Sequence, residues 1–492
     1  MSEIPKNLYR AEQVRAIDQA AIAAGIAGYK LMNRAGEAAF AALRRRWPKA
    51  QRLLVCCGGG NNGGDGYVLA RMARQAGLQV NVLGMVPIDA LKGDAKQAAV
   101  AYQEQGGSFR LFDETQVLQS ECDLIVDALL GIGLQREVTG LWRQLIERIN
   151  AHEAPVFALD IPSGLHADTG AVMGVAVRTD VTTTFIALKQ GLFTGEGPEY
   201  CGQLELADLG VPVAVTQQFE PSAKRITQGD LSVRLPPRPR YAHKGLYGHV
   251  LVVGGNQGMP GAARMSAHAA LRVGAGLVSV ATHPSHAAVL NLTRPELMVH
   301  AVQQAEQLAP LLERATVIAV GPGLGRDDWA QEFLKAALAA SLPLVIDADG
   351  LNLLAQLSHR RADWILTPHP GEAGRLLGIS TAAVQADRFS AVHALVERYG
   401  GVGVLKGNGT LICDGQRVSL CDAGNPGMAS GGMGDVLTGV IAGFLAQGLN
   451  LFDAARLGVF AHARAGDLAA RKGQRGLLAL DLMPHLRALV NK

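Results

Sequence analysis

Gly424-Asn425-Pro426-Gly427-Met428-Ala429-Ser430-Gly431-Gly432-Met433-Gly434-Asp435, running straight into Val436-Leu437-Thr438-Gly439-Val440-Ile441-Ala442-Gly443-Phe444-Leu445, is the stretch on which the reading of this chain turns. A glycine-crowded loop that opens an apolar helix presents main-chain N–H groups at the positive end of the helix dipole, a ready site for phosphate oxygens. An acid there repels phosphate unless it serves the chemistry, so Asp435 is expected to take a proton from a hydroxyl beside a bound phosphoryl group. The competing assignment is an ordinary first-turn acid that complements the dipole. So many glycines ahead of a helix are costly unless the main chain must approach a ligand, which favours the anion site.

Working outward, the second half of the chain alternates strands with helices. Val250–Val253 runs into Gly254-Gly255-Asn256, Val317–Val320 into Gly321-Pro322-Gly323-Leu324-Gly325, and Leu344–Asp347 into Ala348-Asp349-Gly350. Trp364–Leu366 leads to Thr367-Pro368-His369-Pro370-Gly371-Glu372, and Val402–Leu405 to Lys406-Gly407-Asn408-Gly409-Thr410. Strands of this kind predict a mostly parallel sheet with ligands at the carboxyl ends, and those ends carry Gly, Asp, Asn, His, Glu and Lys. No G-x-x-x-x-G-K-[ST] loop occurs, so phosphate must be held at the loop before Asp435. Lys406 to Thr410 reads either as a nucleotide cradle or as a hairpin joining Val404-Leu405 to Leu411-Ile412. His283 and His286 read as surface residues and His462 as a packed one.

The first half repeats the alternation. Helical patterns over Ala11 to Ala24 and Leu31 to Leu43 precede a strand, Arg52–Cys57, which feeds Gly58-Gly59-Gly60-Asn61-Asn62-Gly63-Gly64-Asp65-Gly66 and a helix expected over Tyr67 to Gln75. Strands at Val80–Leu83, Leu124–Leu130 and Val156–Asp160 and helices at Asp94–Glu104 and Leu141–Asn150 complete a doubly wound pattern. The formal G-x-G-x-x-G match at Gly58, Gly60 and Gly63 is not a dehydrogenase fingerprint, because Leu83-Gly84-Met85-Val86 offers no acid for a ribose hydroxyl. Asn62, Asp65, Asp160 and Ser163 follow strands and Asp127 lies within one; if the sheet is parallel they converge on one edge, an all-oxygen set suited to a hard cation and to acid–base work. Lys189 reads as a phosphate contact or as an exposed strand-end cation. Between Val211 and Arg240 the alternation lapses, and Leu235-Pro236-Pro237-Arg238-Pro239 marks a boundary region.

Bulk properties exclude several classes. At 492 residues there is room for two or three domains, and a net charge of +3 with 5% aromatics argues against nucleic acid as a partner. Six cysteines without disulfide or zinc spacing suit a reducing cytoplasm. No apolar signal core begins the chain and no apolar run is long enough for a bilayer, so no membrane partner is expected.

With these motifs in place, the chain resembles the bifunctional NAD(P)H-hydrate repair enzymes. The resemblance rests on Gly60 to Gly66, Asp127-Ala128-Leu129-Leu130-Gly131-Ile132-Gly133-Leu134 and Leu159-Asp160-Ile161-Pro162-Ser163-Gly164-Leu165 in the first half. In the second half it rests on His243-Lys244-Gly245, Asp347-Ala348-Asp349, Thr367 to Glu372, Lys406-Gly407 and Gly434-Asp435-Val436-Leu437-Thr438-Gly439. It implies an α/β protein of two domains: a Rossmann-like epimerase over 1–215 and a ribokinase-like, ADP-dependent dehydratase over 222–492. The first would interconvert the R and S forms of hydrated NADH and NADPH (NADHX and NADPHX), and the second would restore the S form.

By the same resemblance, Asn62, Asp127 and Ser163 would hold a potassium ion. Asn61, Asn62, Gly63, Gly64 and Asp65, with Gly131, Ile132, Gly133, Leu134, Gln135, Arg136 and Glu137, would contact the hydrate, and Asp160 would be the acid–base group. In the second domain Ala262, Gly323 and His369 would meet the hydrate. Lys406, Gly407, Asn408, Gly409, Thr410 and Gly434 would meet the nucleotide, with magnesium, and Asp435 would be catalytic. A homo-oligomer is expected on the same basis. The alternative is a ribokinase-like small-molecule kinase with a regulatory or interaction domain at its N-terminus.

Overall fold

Buried runs of apolar residues, rather than alternating ones, mark strands covered on both faces, and the sheets of this chain are built from them. The computed structural model describes residues 4–115, 118 and 121–491. They divide into two compact units, the break falling between Ala223 and Lys224.

In the first unit β1 (Arg52–Cys57), β2 (Gln79–Gly84), β3 (Ser108–Leu111), β4 (Leu124–Ala128), β5 (Val156–Leu159), β6 (Val181–Phe185) and β7 (Gln203–Ala207) form one sheet in the order β3-β2-β1-β4-β5-β6-β7. Every pairing is parallel. The order reverses beside β1, so the loops after β1 and β4 diverge there and leave a crevice at the carboxyl edge, the Rossmann-like arrangement. Leu53 to Cys57 are all buried. Two edge strands, β3 and β7, were not foreseen, because Ser108–Leu111 and Gln203–Ala207 are short, polar and largely uncovered and carry no apolar run to read.

The second unit contains β8 (His249–Val253), β9 (Leu277–Thr282), β10 (Met298–Ala301), β11 (Val317–Val320), β12 (Leu344–Ile346), β13 (Trp364–Leu366), β14 (Val402–Leu405), β15 (Thr410–Cys413) and β16 (Val418–Cys421). They lie in the order β10-β9-β8-β11-β12-β13-β14-β15-β16, parallel as far as β14 and antiparallel across β14, β15 and β16. The stretch from Lys406 to Thr410 is therefore a hairpin turn, and it also sits at the carboxyl end of a parallel strand.

Helix Met433–Ala446 passes through the core, and Val436 to Leu445 are all buried. That explains why its sequence is apolar all round instead of amphipathic. It packs on helix Pro260–Arg272 at very short range: a Cβ at Gly439 would stand 1.9 Å from the Ser266 carbonyl oxygen. Small residues on both helices permit this approach, and it fixes where the first turn, with Asp435, points.

Candidate active sites

In the first unit the chain leaves β1 at Gly58, where a Cβ would lie 1.8 Å from the Leu129 carbonyl oxygen. Only glycine lets the end of β1 press so closely on the end of β4. The helix then starts at Asn61 and runs to Gln75, a turn and a half earlier than the sequence predicts. Its glycines suggested a loop; instead Gly63 and Gly64 are packing residues, a Cβ at Gly63 meeting Gly58 O at 2.1 Å and one at Gly64 meeting Met32 Cε at 2.5 Å. Asn62 and Asp65 therefore project from a rigid first turn.

Asn62 Nδ2 donates to the Leu130 carbonyl at 3.0 Å, while Asn62 Oδ1 is buried without a hydrogen-bond partner. Asp127, fully buried, accepts from Ser163 Oγ at 2.5 Å and Leu129 N at 3.2 Å on Oδ1, and from Ser163 N at 2.8 Å on Oδ2. Ser163 Oγ in turn accepts from Leu130 N at 2.8 Å. Burial still pushes the Asp127 carboxyl up to about 6, against the pull of its bonds to Ser163 and Leu129. An orphaned amide oxygen beside a buried carboxylate and a hydroxyl fits a hard cation. Among the described residues no group of three His, Cys, Asp or Glu side chains converges on a metal position; the donors here are mixed oxygens.

This corner opens into a cleft of about 1020 Å³. Asn61, Asn62, Asp65, Gly131 to Arg136 and Asp160 line it, together with Arg15, Asp18 and Lys189. Gly63, Gly64, Asp127, Ser163 and Glu137 do not. Asp65 is pushed well up by burial, then by Asp160 and Asp18. Asp160 adopts φ +63° directly after β5, and its Oδ1 accepts from Phe185 N at 3.1 Å and from the Lys189 ammonium. Lys189, only 1% exposed, is thus neither an exposed strand-end cation nor a free phosphate ligand.

In the second unit Asp435 occupies the first turn of its helix after Gly432, whose φ of +88° sets the loop-to-helix corner. Met433, just before it, turns its side chain into the apolar core. Burial and then Asp347 push the Asp435 carboxyl up to about 6, against the pull of Lys406. Asp347, at the end of β12, accepts from Lys406 Nζ at 2.7 Å on Oδ1 and from Thr438 Oγ1 at 2.8 Å on Oδ2. Lys406 Nζ also lies 3.8 Å from Glu372 Oε2. Burial draws the Lys406 ammonium down, but Asp347, Glu372 and Asp435 outweigh it and hold it charged. A Cβ on Gly434 would stand 3.3 Å from Asp347 Oδ2 and 3.4 Å from Lys406 Nζ, so the ends of β12 and β14 and the helix turn meet at one point.

Of the other sequence-predicted residues, His369 is close enough to feel the charges of Lys406 and Asp347. His369 Nδ1 accepts from Gly371 N at 3.0 Å and Glu372 Oε2 accepts from His369 N at 2.8 Å, a reciprocal cap on helix Pro370–Leu377. A Cβ on Gly323 would be 3.1 Å from Ala262 Cβ, and one on Gly432 would be 2.6 Å from Met265 Cε, one turn along the same helix. Thr410 Oγ1 closes the Lys406–Thr410 turn on Gly407 O at 2.9 Å. Beneath it the buried Arg388 donates to the Leu405 and Lys406 carbonyls, both at 3.2 Å. Asp347, Thr438 and Arg388 were not singled out as site residues from the sequence. Asp347 alone had a signal, an acid ending a buried strand.

The sequence comparisons bear on both halves. The profile described as NAD(P)H-hydrate dehydratase matches residues 250–487, and that described as YjeF-related protein N-terminus matches 28–191. The bifunctional NAD(P)H-hydrate repair enzyme of Coxiella burnetii is 53% identical over 98% of this chain and 99% of its own length. The chain belongs to the bifunctional NAD(P)H-hydrate repair enzyme family. The member from Vibrio cholerae is 44% identical over 99% of both chains. Among solved structures, a ribokinase-like superfamily protein from Enterococcus faecalis aligns with 56% of this chain and 97% of its own, at 31% identity and a TM-score of 0.52. The ADP/ATP-dependent NAD(P)H-hydrate dehydratase of Bacillus subtilis, co-crystallized with ATP/Mg2+, aligns with 54% of this chain and 96% of its own, at 31% identity and a TM-score of 0.50. The second unit is ribokinase-like. No helix among the described residues is long and apolar enough to cross a membrane.

Proposed function

We propose that this chain repairs hydrated reduced nicotinamide cofactors, the unit ending at Ala223 interconverting the R and S hydrates and the unit beginning at Lys224 dehydrating the S form at the expense of ADP. The observation that carries the reading is the pairing, on one chain similar over its full length to bifunctional repair enzymes, of two separately built carboxylate sites.

In the second unit Asp435, basic enough to accept a proton near neutrality, takes it from the hydrate hydroxyl. The oxygen so activated attacks the terminal phosphoryl group of ADP and AMP departs. The helix N-terminus at Gly434 and the Lys406 ammonium face the charge on the transferring group. Loss of phosphate and of a ring proton then rebuilds the double bond. A magnesium ion would supply further charge neutralisation on the nucleotide, with Glu372 the nearby buried carboxylate. Both Asp347 oxygens are committed to Lys406 and Thr438.

In the first unit Asn62 Oδ1, Asp127 and Ser163 would hold potassium, which supplies fixed positive charge at the cleft wall. Asp160 takes the proton from the hydrate hydroxyl as the bond from that carbon to the ring nitrogen breaks, leaving an aldehyde and an N–H, and returns it when the bond re-forms on the other face; Gly131 to Arg136 cover the ligand. Six cysteines, all free, suit a reducing compartment such as the cytoplasm.

The test follows the regained reduced-nicotinamide absorbance on a mixture of R and S hydrates with ADP and magnesium. The wild type converts all of it and Asp435→Asn none. Asp160→Asn gives a fast phase limited to the S fraction, then a slow one set by spontaneous epimerisation. No absorbance gain by the wild type with ADP or ATP would overturn the reading in favour of a small-molecule kinase.

A further inference from the structure

Lys189 lines the first-unit cleft, yet its ammonium faces inward. It bonds Asp160 Oδ1, Thr184 Oγ1 at 2.9 Å and the Phe185 carbonyl at 2.9 Å. A lysine ammonium has three protons, and these three acceptors use all of them. No donor remains for a phosphate or for the hydrate.

Asp160 is fixed from the other side as well. Its main chain adopts φ +63°, a left-handed conformation that is strained for a non-glycine residue. Its N–H donates to Thr183 O at 2.8 Å, while Phe185 N reaches back to Oδ1 at 3.1 Å and Thr184 Oγ1 lies 3.4 Å from the same oxygen. Every one of these side-chain contacts falls on Oδ1. The second oxygen, Oδ2, accepts none of these bonds, and Asp160 lines the cleft. The charged groups around this carboxylate are Lys189, Asp65 and Asp18, and Asp94 lies beyond Asp18.

We infer that Lys189 is a positioning residue of the epimerase site, which clamps Asp160 Oδ1 so that Oδ2 alone exchanges the proton with the hydrate hydroxyl. The inference rests on the proposed epimerase reading of this cleft. It departs from an assignment of Lys189 to phosphate binding, because it places the lysine's whole effect on turnover and none on affinity.

The test uses the full-length chain, R hydrate alone as substrate and ADP present, so that absorbance growth reports epimerisation followed by dehydration. Lys189→Met is expected to lower kcat of the epimerisation step on the order of 10- to 100-fold with KM within about twofold of wild type. Asp160→Asn and Asp160→Asn with Lys189→Met are expected to turn over at equal rates, since a clamp has nothing to act on once the carboxylate is gone. Lys189→Gln, which keeps a donor for Asp160 Oδ1, is expected to fall between Lys189→Met and wild type and carries the test where Lys189→Met does not fold. A raised KM with kcat preserved, or Lys189 variants with kcat within about twofold of wild type, overturns the proposal. A wild type that does not accelerate R-hydrate conversion over the spontaneous rate instead overturns the epimerase reading itself.

Discussion

Asp435→Asn should make the second unit more stable while it abolishes dehydration. The carboxyl is pushed from its usual 3.8 to about 6 by burial and by Asp347. That difference of 2.2 corresponds to about 3 kcal/mol, the extra work of ionising Asp435 in the folded unit at neutral pH. The sign follows from proton binding. Between pH 3.8 and about 6 the folded unit holds a proton that the unfolded chain has released, so stability falls as pH rises through that window and stays depressed above it. An amide at 435 never carries the charge and escapes the penalty. Its own desolvation offsets part of the gain, leaving about 1–3 kcal/mol at pH 7.5, or roughly 2–5 °C in melting temperature for a unit of this size. Scanning calorimetry of the nucleotide-free chain at pH 7.5 and at pH 4.5, wild type against Asp435→Asn, measures this directly. The gain should be present at pH 7.5 and shrink as the wild-type carboxyl takes up its proton. A variant no more stable than wild type at pH 7.5, or a gain that grows on acidification, would refute the charge reasoning. The same variant should lose on the order of 10²- to 10⁴-fold in dehydration rate, so stability and activity move in opposite directions.

Asn62→Ala removes the orphaned amide oxygen and should slow R-to-S conversion on the order of 10-fold or more, and replacing potassium by lithium should do the same, with S-hydrate dehydration unchanged in both; two-phase absorbance traces separate the steps. Gly407→Ala sets a Cβ about 3 Å from the Arg388 guanidinium at a φ of +133°, and should raise KM for ADP several-fold and cost about 1–2 kcal/mol in urea unfolding. Thr438→Val deletes the hydroxyl that donates to Asp347 Oδ2 at 2.8 Å, and should cost about 1–2 kcal/mol in the same denaturation assay while Asp435 stays in place.

Much of this molecule was legible because long buried strands announce themselves. Val250–Val253, Val317–Val320 and Val402–Leu405 are consecutive apolar residues with glycine or a charged residue at the exit, and a parallel sheet brings such exits to one edge whatever its strand order. That is why Asp160 and Lys406 could be placed at sheet edges from the sequence, while Asp435 was read from the glycine loop that opens its helix. Edge strands such as Met298–Ala301 carry no such run. What sequence could not convey was direction. Gly63 and Gly64 look like ligand loops and are instead contact points for Gly58 and Met32, because a helix that starts among glycines gains from close packing rather than from propensity. Lys189 looks like a surface cation because lysine rarely tolerates complete burial unpaired. Its partners lie on β6 and after β5, and only the fold brings them to it.

The two carboxylates assigned to proton transfer are held in contrasting ways, and the contrast fits the work proposed for each. Asp160 is set by geometry: a left-handed main chain and a ring of donors pin one oxygen, so the other meets the ligand in a fixed orientation. A group that must both give and receive the same proton across two faces of one ring needs a constant position more than a high basicity. Asp435 is set by its surroundings: burial and then Asp347 raise its carboxyl to about 6 against the pull of Lys406. A group that removes a proton once, ahead of an irreversible phosphoryl transfer, needs basicity matched to neutral pH, and the helix N-terminus beside it supplies the orientation. Lys189 and Lys406 accordingly differ in task although each is buried against an aspartate. The first has all its protons bound to the protein and acts only through its partner. The second lies between Asp347, Glu372 and the turn at Gly434, where its charge would act on the phosphoryl group in the proposed reaction.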